Sequence, residues 1–278
     1  MLRTRSEAAL AAPAWITRPR PNPHAQLRLI CIPYAGGSAS VFRTWPDYLP
    51  AEIEVCSVQL PGRENRLGEP PFTEPAPLLT TLAQALRPYL DRPFVLFGHS
   101  MGAIISFELT RLLRRQYDIQ PEKLLISGRR APHMPYCEEP IHQLPTPEFL
   151  QQLRQFDGTP AEILENPDLV RMVLPVLRAD FAICETYAYT PEAPLDCPIA
   201  AYGGLHDRWA TYDDLFAWQM QTNDAFSLQM LPGNHFFLNG SRWLLLQAVA
   251  HEISQVLQAT VIGNMYDYAS TYLEHAAR

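Results

Sequence analysis

Residue types that can cleave an acyl bond occur in separate parts of the sequence. Ser100 is the centre of the string Gly-His-Ser-Met-Gly at 98–102, with an apolar run before it and a helical pattern after it. This Gly-x-Ser-x-Gly pattern predicts a sharp strand-to-helix turn that exposes the serine hydroxyl as a nucleophile. At so tight a turn, Gly98 and Gly102 leave out side chains that would collide with the strand and the helix. A glycine-rich turn without chemistry is the alternative interpretation.

A base and a carboxylate must accompany a serine nucleophile, because the hydroxyl is weak until its proton is removed. Asp207 follows the apolar run 198–204 and His235 follows the run 226–231, so the chain order is Ser, Asp, His. This is the order found where the serine lies on a Gly-x-Ser-x-Gly turn. We therefore predict that His235 is the general base and that Asp207 orients it.

Other residues are weaker candidates for these two roles. Asp213 and Asp214 are alternative acids, but they fall in the first turn of a following helix, where negative charge is favourable in itself. His99 lies inside the predicted turn, and its side chain is expected to point away from the hydroxyl. His206 adjoins Asp207 and is expected to face aside.

Two backbone N–H groups must stabilise the oxyanion that forms during acyl transfer. One is expected from Met101, the residue after the nucleophile, and the other from the loop that follows the first apolar run. That loop is Tyr34-Ala35-Gly36-Gly37, and Ala35 is the position that we predict for the second donor. A plain glycine turn is the alternative for this loop.

Apolar runs of strand composition alternate with helical patterns along the chain. They cover 27–33, 53–60, 93–97, 124–127, 198–204 and 226–231. This alternation predicts βαβ units and an α/β fold with a mostly parallel central sheet flanked by helices. The loops after the carboxyl ends of such strands meet at one edge of the sheet. Ala35, Ser100, Asp207 and His235 are expected to converge there.

The strand rhythm stops between about 134 and 190, where helical patterns predict a lid over the serine. The alternative is that these helices only pack on the core. We divide the chain into a proline-rich N-terminal arm over 1–25, one α/β domain over 26–258 and a C-terminal tail over 259–278. The tail from about residue 260 has the pattern of a short amphipathic helix.

Charge and composition argue against several classes of function. The chain of 278 residues has 22 basic and 29 acidic side chains, and this net charge of −7 argues against nucleic-acid binding. No apolar run approaches the roughly 18 residues of a membrane span. The five cysteines are odd in number and form no Cys-x-x-Cys pair, which predicts buried thiols in a reducing compartment. We expect a cytoplasmic monomer without nucleic-acid or membrane partners.

Signatures of metals and cofactors are missing from the sequence. There is no His-Glu-x-x-His, the cysteine spacings fit no zinc site, and Gly36-Gly37 lack the Lys-Ser/Thr of a phosphate-binding loop. We expect neither a metal nor a cofactor, so the reaction would be carried by the chain's own groups.

Several longer strings between about residues 27 and 258 are more specific than the serine turn alone. They are PYAGGS at 33–38, QLPGRENR at 59–66, GHSMGA at 98–103, SGRRAP at 127–132, GTP at 158–160, LRAD at 177–180 and PLDCPI at 194–199. In these strings the chain resembles the type II thioesterases that accompany polyketide and nonribosomal peptide synthetases.

The resemblance implies an α/β-hydrolase that removes acyl groups from the phosphopantetheine arm of acyl or peptidyl carrier proteins, clearing misprimed or stalled units without a cofactor. It implies that Ser100 attacks the thioester, with His235 as base and Asp207 as its orienting acid. It also implies that Ala35 and Met101 supply the oxyanion donors. Candidates for meeting an acidic carrier or the phosphate of the arm are Arg63, Arg66, Arg111, Arg114, Arg115, Arg129 and Arg130. Solvated surface charge is the alternative for each arginine.

Three other functions fit the same residues. A general carboxylesterase or lipase would use the same fold and the same serine. A catalytically inactive binding partner of a synthetase would keep the fold alone. An acyltransferase would pass the acyl group to an acceptor other than water.

Overall fold

A sheet of seven strands runs through the part of the chain that the computed structural model describes, residues 15–135, 139–156 and 158–276, with side chains up to residue 259. The strands are β1 (Ile16–Thr17), β2 (Leu27–Ile32), β3 (Ile53–Val58), β4 (Phe94–His99), β5 (Lys123–Ser127), β6 (Ile199–Gly204) and β7 (Phe226–Leu231). Their order across the sheet is β1-β3-β2-β4-β5-β6-β7. Only β1 runs antiparallel to its neighbour. The predicted mostly parallel central sheet is confirmed.

Helices connect most of these strands and flank the sheet. They are α1 (Pro75–Leu86), α2 (Met101–Tyr117), α3 (Thr146–Phe156), α4 (Ala161–Glu165), α5 (Pro167–Glu185), α6 (Tyr212–Phe216), α7 (Phe237–Gly240) and α8 (Arg242–Ala276). Local capping explains where some of them begin. The side chain of Asn166 accepts the N–H groups of Asp168 and Leu169 and so starts α5. These helices and the parallel strands form the α/β-hydrolase fold that the resemblance implies.

The middle of the sheet, strands β2 to β6, is buried on both faces, which is why these strands are apolar runs in the sequence. Strands β2 to β6 are buried along their whole length. One face packs under α1 and α2 through side chains such as Leu82 and Phe107. The other packs under α8 and the aromatic residues Phe42 and Trp45. A parallel sheet covered on both faces holds its carboxyl edge in a fixed arrangement.

The end of the predicted N-terminal arm packs against the domain. Strand β1 adds two residues to the sheet edge beside β3. The guanidinium of Arg66 lies 4.1 Å from the ring centroid of Trp15, and Asn22 donates its N–H to Glu54 at 2.9 Å. Residues 1–14 lie outside the described residues. The boundary of the arm at residue 25 stays a prediction.

The last helix crosses the position where the sequence predicts the domain to end. Helix α8 runs without a break from Arg242 to Ala276, so the expected short tail helix is its continuation. No glycine or proline occurs between Arg242 and Ile262, and nothing in the local sequence ends the helix at residue 258. The division at residue 258 stays a prediction. No helix among the described residues is long and apolar enough to cross a membrane.

Helices α3, α4 and α5 form the predicted helical lid. They share a small apolar cluster of their own, built around Phe149, Leu153, Leu164 and Leu177. Leu153 and Leu177 also line the cavity that contains Ser100. The lid therefore covers the serine, and α5 also packs on the core through Ile183 and Cys184, so both interpretations of these helices hold. Pro175 lies within α5, where it cannot donate a backbone hydrogen bond to Arg171.

Two glycines let β4 turn into α2 at Ser100. A Cβ on Gly98 would lie 2.1 Å from the carbonyl oxygen of Gly102, and a Cβ on Gly102 would lie 2.1 Å from that of Ile32. Both contacts are with backbone atoms, which have no room to move aside. Only glycine fits at either position, as the sequence predicts.

We expect Gly102→Ala to lower the free energy of unfolding by about 3 kcal/mol, because the added methyl overlaps a strand carbonyl. Urea denaturation followed by circular dichroism measures the change. The control is Gly240→Ala, where a Cβ would meet nothing within 4 Å, and its stability should stay within about 0.5 kcal/mol of the wild type. Equal stability of Gly102→Ala and Gly240→Ala would contradict the packing argument.

Candidate active site

Ser100 lies in a strained backbone conformation between β4 and α2. Its φ is 53° and its ψ is −111°, a region that residues with a side chain rarely occupy. Its N–H donates to the carbonyl of Ser127 at 2.8 Å, and its carbonyl accepts the N–H of Ala103 at 3.1 Å. Strain of this kind persists where surrounding bonds hold it, and it is concentrated at functional sites. The predicted strand-to-helix turn is present with the serine at its tip.

The structure brings the predicted nucleophile, base and acid together. His235 Nε2 lies 3.0 Å from Ser100 Oγ, and His235 Nδ1 lies 2.8 Å from Asp207 Oδ2. Because a carboxylate can only accept, the proton is on Nδ1, and Nε2 is free to accept the serine proton. Asp207 Oδ1 accepts the N–H groups of Trp209 at 2.8 Å and Ala210 at 3.2 Å. These bonds hold the carboxylate in contact with the ring of His235.

The alternative acids have other tasks. Asp214 closes a capping box at the start of α6: its Oδ2 accepts the N–H of Thr211 at 2.9 Å, and its own N–H donates to Thr211 Oγ1 at 3.4 Å. Asp213 is exposed on the same short helix. The geometry therefore places Asp207, and neither of these two, beside His235.

His99 packs behind the base. Its ring centroid lies 5.2 Å from that of His235, and its Nδ1 lies 2.8 Å from Ser127 Oγ. Burial lowers the pKa of His99 well below its ordinary value, and the proximity of His235 lowers it further. His99 is therefore neutral at physiological pH and adds no charge beside His235.

A cavity of about 70 Å³ surrounds the serine and is called here the serine cavity. It is lined by Tyr34, Ala35, Ser100, Gly128, Arg129, Arg130, Leu153, Phe156, Gly158, Thr159, Leu177, Phe181, Cys184, Trp209, His235 and Phe236. The thiol of Cys184 is another potential nucleophile in this lining. Burial raises the pKa of Cys184 to about 11, so the thiol stays protonated and unreactive.

A larger cavity of about 500 Å³ adjoins the serine cavity and is called here the side chamber. The two share Tyr34, Ala35, Gly158, Thr159 and Leu177. The side chamber is otherwise lined by Gly36, Gly62, Arg63, Glu64, Leu67, Pro160, Ile163, Met172, Val173 and Val176. Most of these side chains are apolar and come from the lid. A molecule with its reactive bond at Ser100 thus has an apolar space next to it.

The two predicted oxyanion donors come from different segments of the chain: Met101 directly follows the serine, and Ala35 follows β2. Met101 is the first residue of α2, and the first N–H groups of a helix have no partner within it. Ala35 lies in a reverse turn after β2, the residues Tyr34–Gly37, called here the β2 turn. Gly37 donates its N–H to Tyr34 O at 2.8 Å across this turn. The donor roles of Met101 and Ala35 stay predictions.

Three of the arginines considered for an acidic partner are buried, so their assignment to the surface is wrong. Arg63, Arg66 and Arg111 are 6%, 4% and 2% exposed. Arg63 pairs with Asp180, and Arg111 pairs with Glu108 on the same helix. The Glu108–Arg111 spacing of three was a signal for that pair. Arg63 gave no local signal, because Asp180 lies 117 residues away.

The remaining arginines differ in their surroundings. Arg114 donates to the carbonyl of Pro194 at 2.8 Å, and Arg115 pairs with Glu192. Of the arginines considered, Arg129 and Arg130 line the cavity that contains Ser100.

Comparison with known proteins agrees with the geometry. The parallel sheet, the lid and the serine at the strand-to-helix turn define a member of the α/β-hydrolase fold. Residues 27–257 match the family model described as a thioesterase domain, and the chain belongs to the thioesterase family.

Three of the similar proteins act in, or come from, biosynthetic pathways. The gramicidin S biosynthesis protein GrsT of Aneurinibacillus migulanus is 44% identical over 243 residues, which are 87% of this chain and 95% of GrsT. RedJ, the thioesterase from the prodiginine biosynthetic pathway in Streptomyces coelicolor, superimposes with a TM-score of 0.79 at 41% identity, over 89% of this chain and 96% of RedJ. The type II thioesterase BorB from the borrelidin biosynthetic cluster superimposes with a TM-score of 0.78 at 38% identity, over 85% of this chain and 96% of BorB.

We expect Asp207→Asn to lower kcat for thioester hydrolysis by roughly three orders of magnitude, because the amide no longer holds the proton on Nδ1 of His235. Steady-state kinetics with a soluble acyl thioester measure the effect. The control Asp214→Asn should keep kcat and lose about 1 kcal/mol of stability with its capping box. A large loss of kcat in Asp214→Asn, with none in Asp207→Asn, would show that Asp214, and not Asp207, is the acid that orients His235.

Proposed function

We propose that this chain hydrolyses acyl thioesters on the phosphopantetheine arm of acyl or peptidyl carrier proteins, as an editing enzyme of a polyketide or nonribosomal peptide pathway. The single observation that carries the chemistry is the line of contacts from Ser100 Oγ through the His235 ring to Asp207, with distances of 3.0 and 2.8 Å. The pathway is supported by the names of the relatives, which include a gramicidin S biosynthesis protein and a type II thioesterase.

The proposed reaction has two similar halves. Ser100 Oγ attacks the thioester carbonyl while His235 Nε2 takes its proton, and the N–H groups of Ala35 and Met101 stabilise the oxyanion. The intermediate collapses to an acyl-serine as the thiol of the arm leaves with the proton from His235. Water then attacks the acyl-serine with His235 again as base, and Asp207 holds the ring throughout. The products are the free acid and the free thiol of the arm.

The cavities support a substrate with a long thin arm and an apolar acyl group. The serine cavity, at about 70 Å³, has room for the reacting bond and little else. The side chamber, at about 500 Å³, is lined mainly by apolar lid residues. We assign the acyl chain to the side chamber, because apolar surface buried there contributes to binding in proportion to its area. Arg129 and Arg130 are available near the serine for the polar part of the arm.

The proposed partner is a carrier protein, and the proposed compartment is the cytoplasm. Hydrolysis requires only the chain's own groups and water, so the proposal includes no cofactor. Four cysteines among the described residues, Cys31, Cys56, Cys184 and Cys197, are buried free thiols. Free thiols support a reducing compartment, which is where carrier proteins receive their acyl groups in this proposal.

We expect acyl-carrier protein to be hydrolysed with a higher kcat/KM than acyl-coenzyme A or a simple ester of the same acyl group. Mass spectrometry of the carrier before and after incubation measures the loss of the acyl mass. Ser100→Ala should abolish turnover and keep the wild-type circular dichroism spectrum.

The other outcomes of this assay each contradict the proposal in a different way. A higher kcat/KM for the simple ester identifies a carboxylesterase or lipase. An acyl group found on an acceptor other than water identifies an acyltransferase. Absence of turnover with all three substrates identifies a non-catalytic partner.

We expect Val173→Trp to lower kcat/KM for a long acyl chain, such as octanoyl, at least tenfold more than for acetyl. The indole fills part of the side chamber, whereas acetyl reacts without entering it; each tenfold corresponds to about 1.4 kcal/mol. The control is Leu169→Trp on the same helix, because Leu169 is exposed and does not line the chamber. Equal effects on octanoyl and acetyl would place the acyl chain elsewhere.

A further inference from the structure

We propose that Asp180 and Arg63 are positioning residues: they hold the β2 turn in the shape that presents the Ala35 N–H to the oxyanion. This inference rests on the proposed function, since it concerns the second oxyanion donor of that reaction. Neither side chain reaches the serine itself. Both act through the backbone of the turn.

The β2 turn is a type II turn by its dihedral angle and hydrogen bond. Gly37 donates its N–H to Tyr34 O at 2.8 Å, and Gly36, the third residue, has a φ of 77°. Ala35, the second residue, is not among the residues with positive φ, which is the type II pattern. In a planar trans peptide the N–H points opposite to the carbonyl. Since Tyr34 O points across the turn, the Ala35 N–H points outward, and Ala35 lines the serine cavity.

Asp180 and Arg63 bind two other peptide units of this turn. The N–H of Gly36 donates to Asp180 Oδ2 at 2.7 Å. Arg63 Nη1 donates to the carbonyl of Gly37 at 2.8 Å. The guanidinium and the carboxylate also join each other through two bonds of 2.8 Å, from Nη1 to Oδ2 and from Nη2 to Oδ1. One bidentate ion pair therefore holds the turn at two consecutive residues.

The surroundings keep this ion pair in place. The side chains of Arg63 and Asp180 are 7% and 2% exposed. Gln59 donates to the carbonyl of Arg63 at 3.0 Å and accepts the N–H of Ala39 at 2.8 Å, so the segment of Arg63 is tied to the chain just after the turn. Leu177, one helical turn before Asp180, would touch a Cβ on Gly36 at 2.6 Å. The turn is thus clamped between α5 and the segment after β3.

Stability alone is a weak reason for this arrangement. The free energy needed to remove two charges from water is often larger than the free energy gained from their attraction. A protein with apolar side chains in place of a buried ion pair is therefore often equally stable. A bidentate pair does supply fixed geometry. The ion pair holds the peptide between Ala35 and Gly36. The orientation of this peptide is what distinguishes type I from type II turns. Loss of the carboxylate frees this peptide and, with it, the adjoining Ala35 N–H.

The chain contains a matched ion pair far from the serine. Arg28 Nε donates to Glu54 Oε2 at 2.8 Å, with side chains 7% and 1% exposed. This pair joins the beginnings of β2 and β3, whereas the β2 turn follows the end of β2. Glu54→Gln and Asp180→Asn remove the same charge from equally buried pairs. A purely structural role predicts the same consequences for both variants.

The test uses the full chain and a small soluble acyl thioester, so that it does not depend on the carrier protein. We expect both variants to lower Tm, and only Asp180→Asn to lower kcat, by about 10–100-fold, with KM within twofold of the wild type. One oxyanion donor contributes on the order of 10²–10³ in kcat, and a displaced donor loses part of this. Equal kcat in Asp180→Asn and Glu54→Gln, or a change confined to KM, would overturn the inference.

A second measurement separates positioning from general damage. A trifluoromethyl ketone analogue of the thioester forms a tetrahedral adduct with Ser100 and needs the oxyanion donors, whereas a thioether analogue does not. Asp180→Asn should weaken binding of the ketone by the same factor by which it lowers kcat, and should leave binding of the thioether unchanged. Equal weakening of both inhibitors, or of neither, would contradict the positioning role.

A double variant keeps the test decisive if Asp180→Asn fails to fold because Arg63 is left unpaired. Arg63→Gln with Asp180→Asn removes both charges, and we expect it to fold and to have the reduced kcat. Wild-type kcat in the double variant would overturn the inference. Failure of the proposed function has a different signature: the wild type itself would leave acyl-carrier protein intact while the small-thioester comparison stays valid.

Discussion

The close approach of helix α2 to strand β2 is the contact on which the site depends. The Cα of Gly102 faces the carbonyl of Ile32 so closely that a methyl would lie 2.1 Å from the oxygen. This approach places the first turn of α2, and Ser100 before it, beside the end of β2. The chain that leaves β2 at that point is the β2 turn. One backbone contact therefore sets the distance between the nucleophile and the loop predicted to carry the second oxyanion donor.

A second close backbone contact brings His235 to Asp207. A Cβ on Gly204, the last residue of β6, would lie 2.3 Å from the carbonyl oxygen of Asn234. His206 donates its N–H to the carbonyl of Gly233 at 2.9 Å. These contacts join the loop after β6 to the loop after β7, and Asp207 and His235 lie one residue beyond them. Backbone packing at strand ends thus determines where the side chains of the site meet.

The sequence was informative where a residue's role depends on its neighbours in the chain. Ser100 could be predicted from its own turn, and Asp207 and His235 from the strands that precede them, because parallel strands present their carboxyl ends at one edge. Arg63 and Asp180 could not be paired in advance, since 117 residues separate them and nothing local selects one partner over another. Arg63 and Arg66 were assigned to the surface because a single sequence does not reveal burial of a charge. The continuity of α8 past residue 258 was missed for another reason: the resemblance to known sequences ends at about that residue, although no helix breaker occurs there.

Pro175 interrupts the backbone hydrogen bonding of α5 and divides this helix into two halves. The half before it carries Val173 in the wall of the side chamber, and the half after it carries Val176 in the same wall and Asp180 on the β2 turn. Because Pro175 offers no N–H to the carbonyl of Arg171, the two halves share one backbone bond fewer than an unbroken helix would. A helix with one bond fewer at this point transmits movement of its first half less completely to its second half, which holds the β2 turn through Asp180.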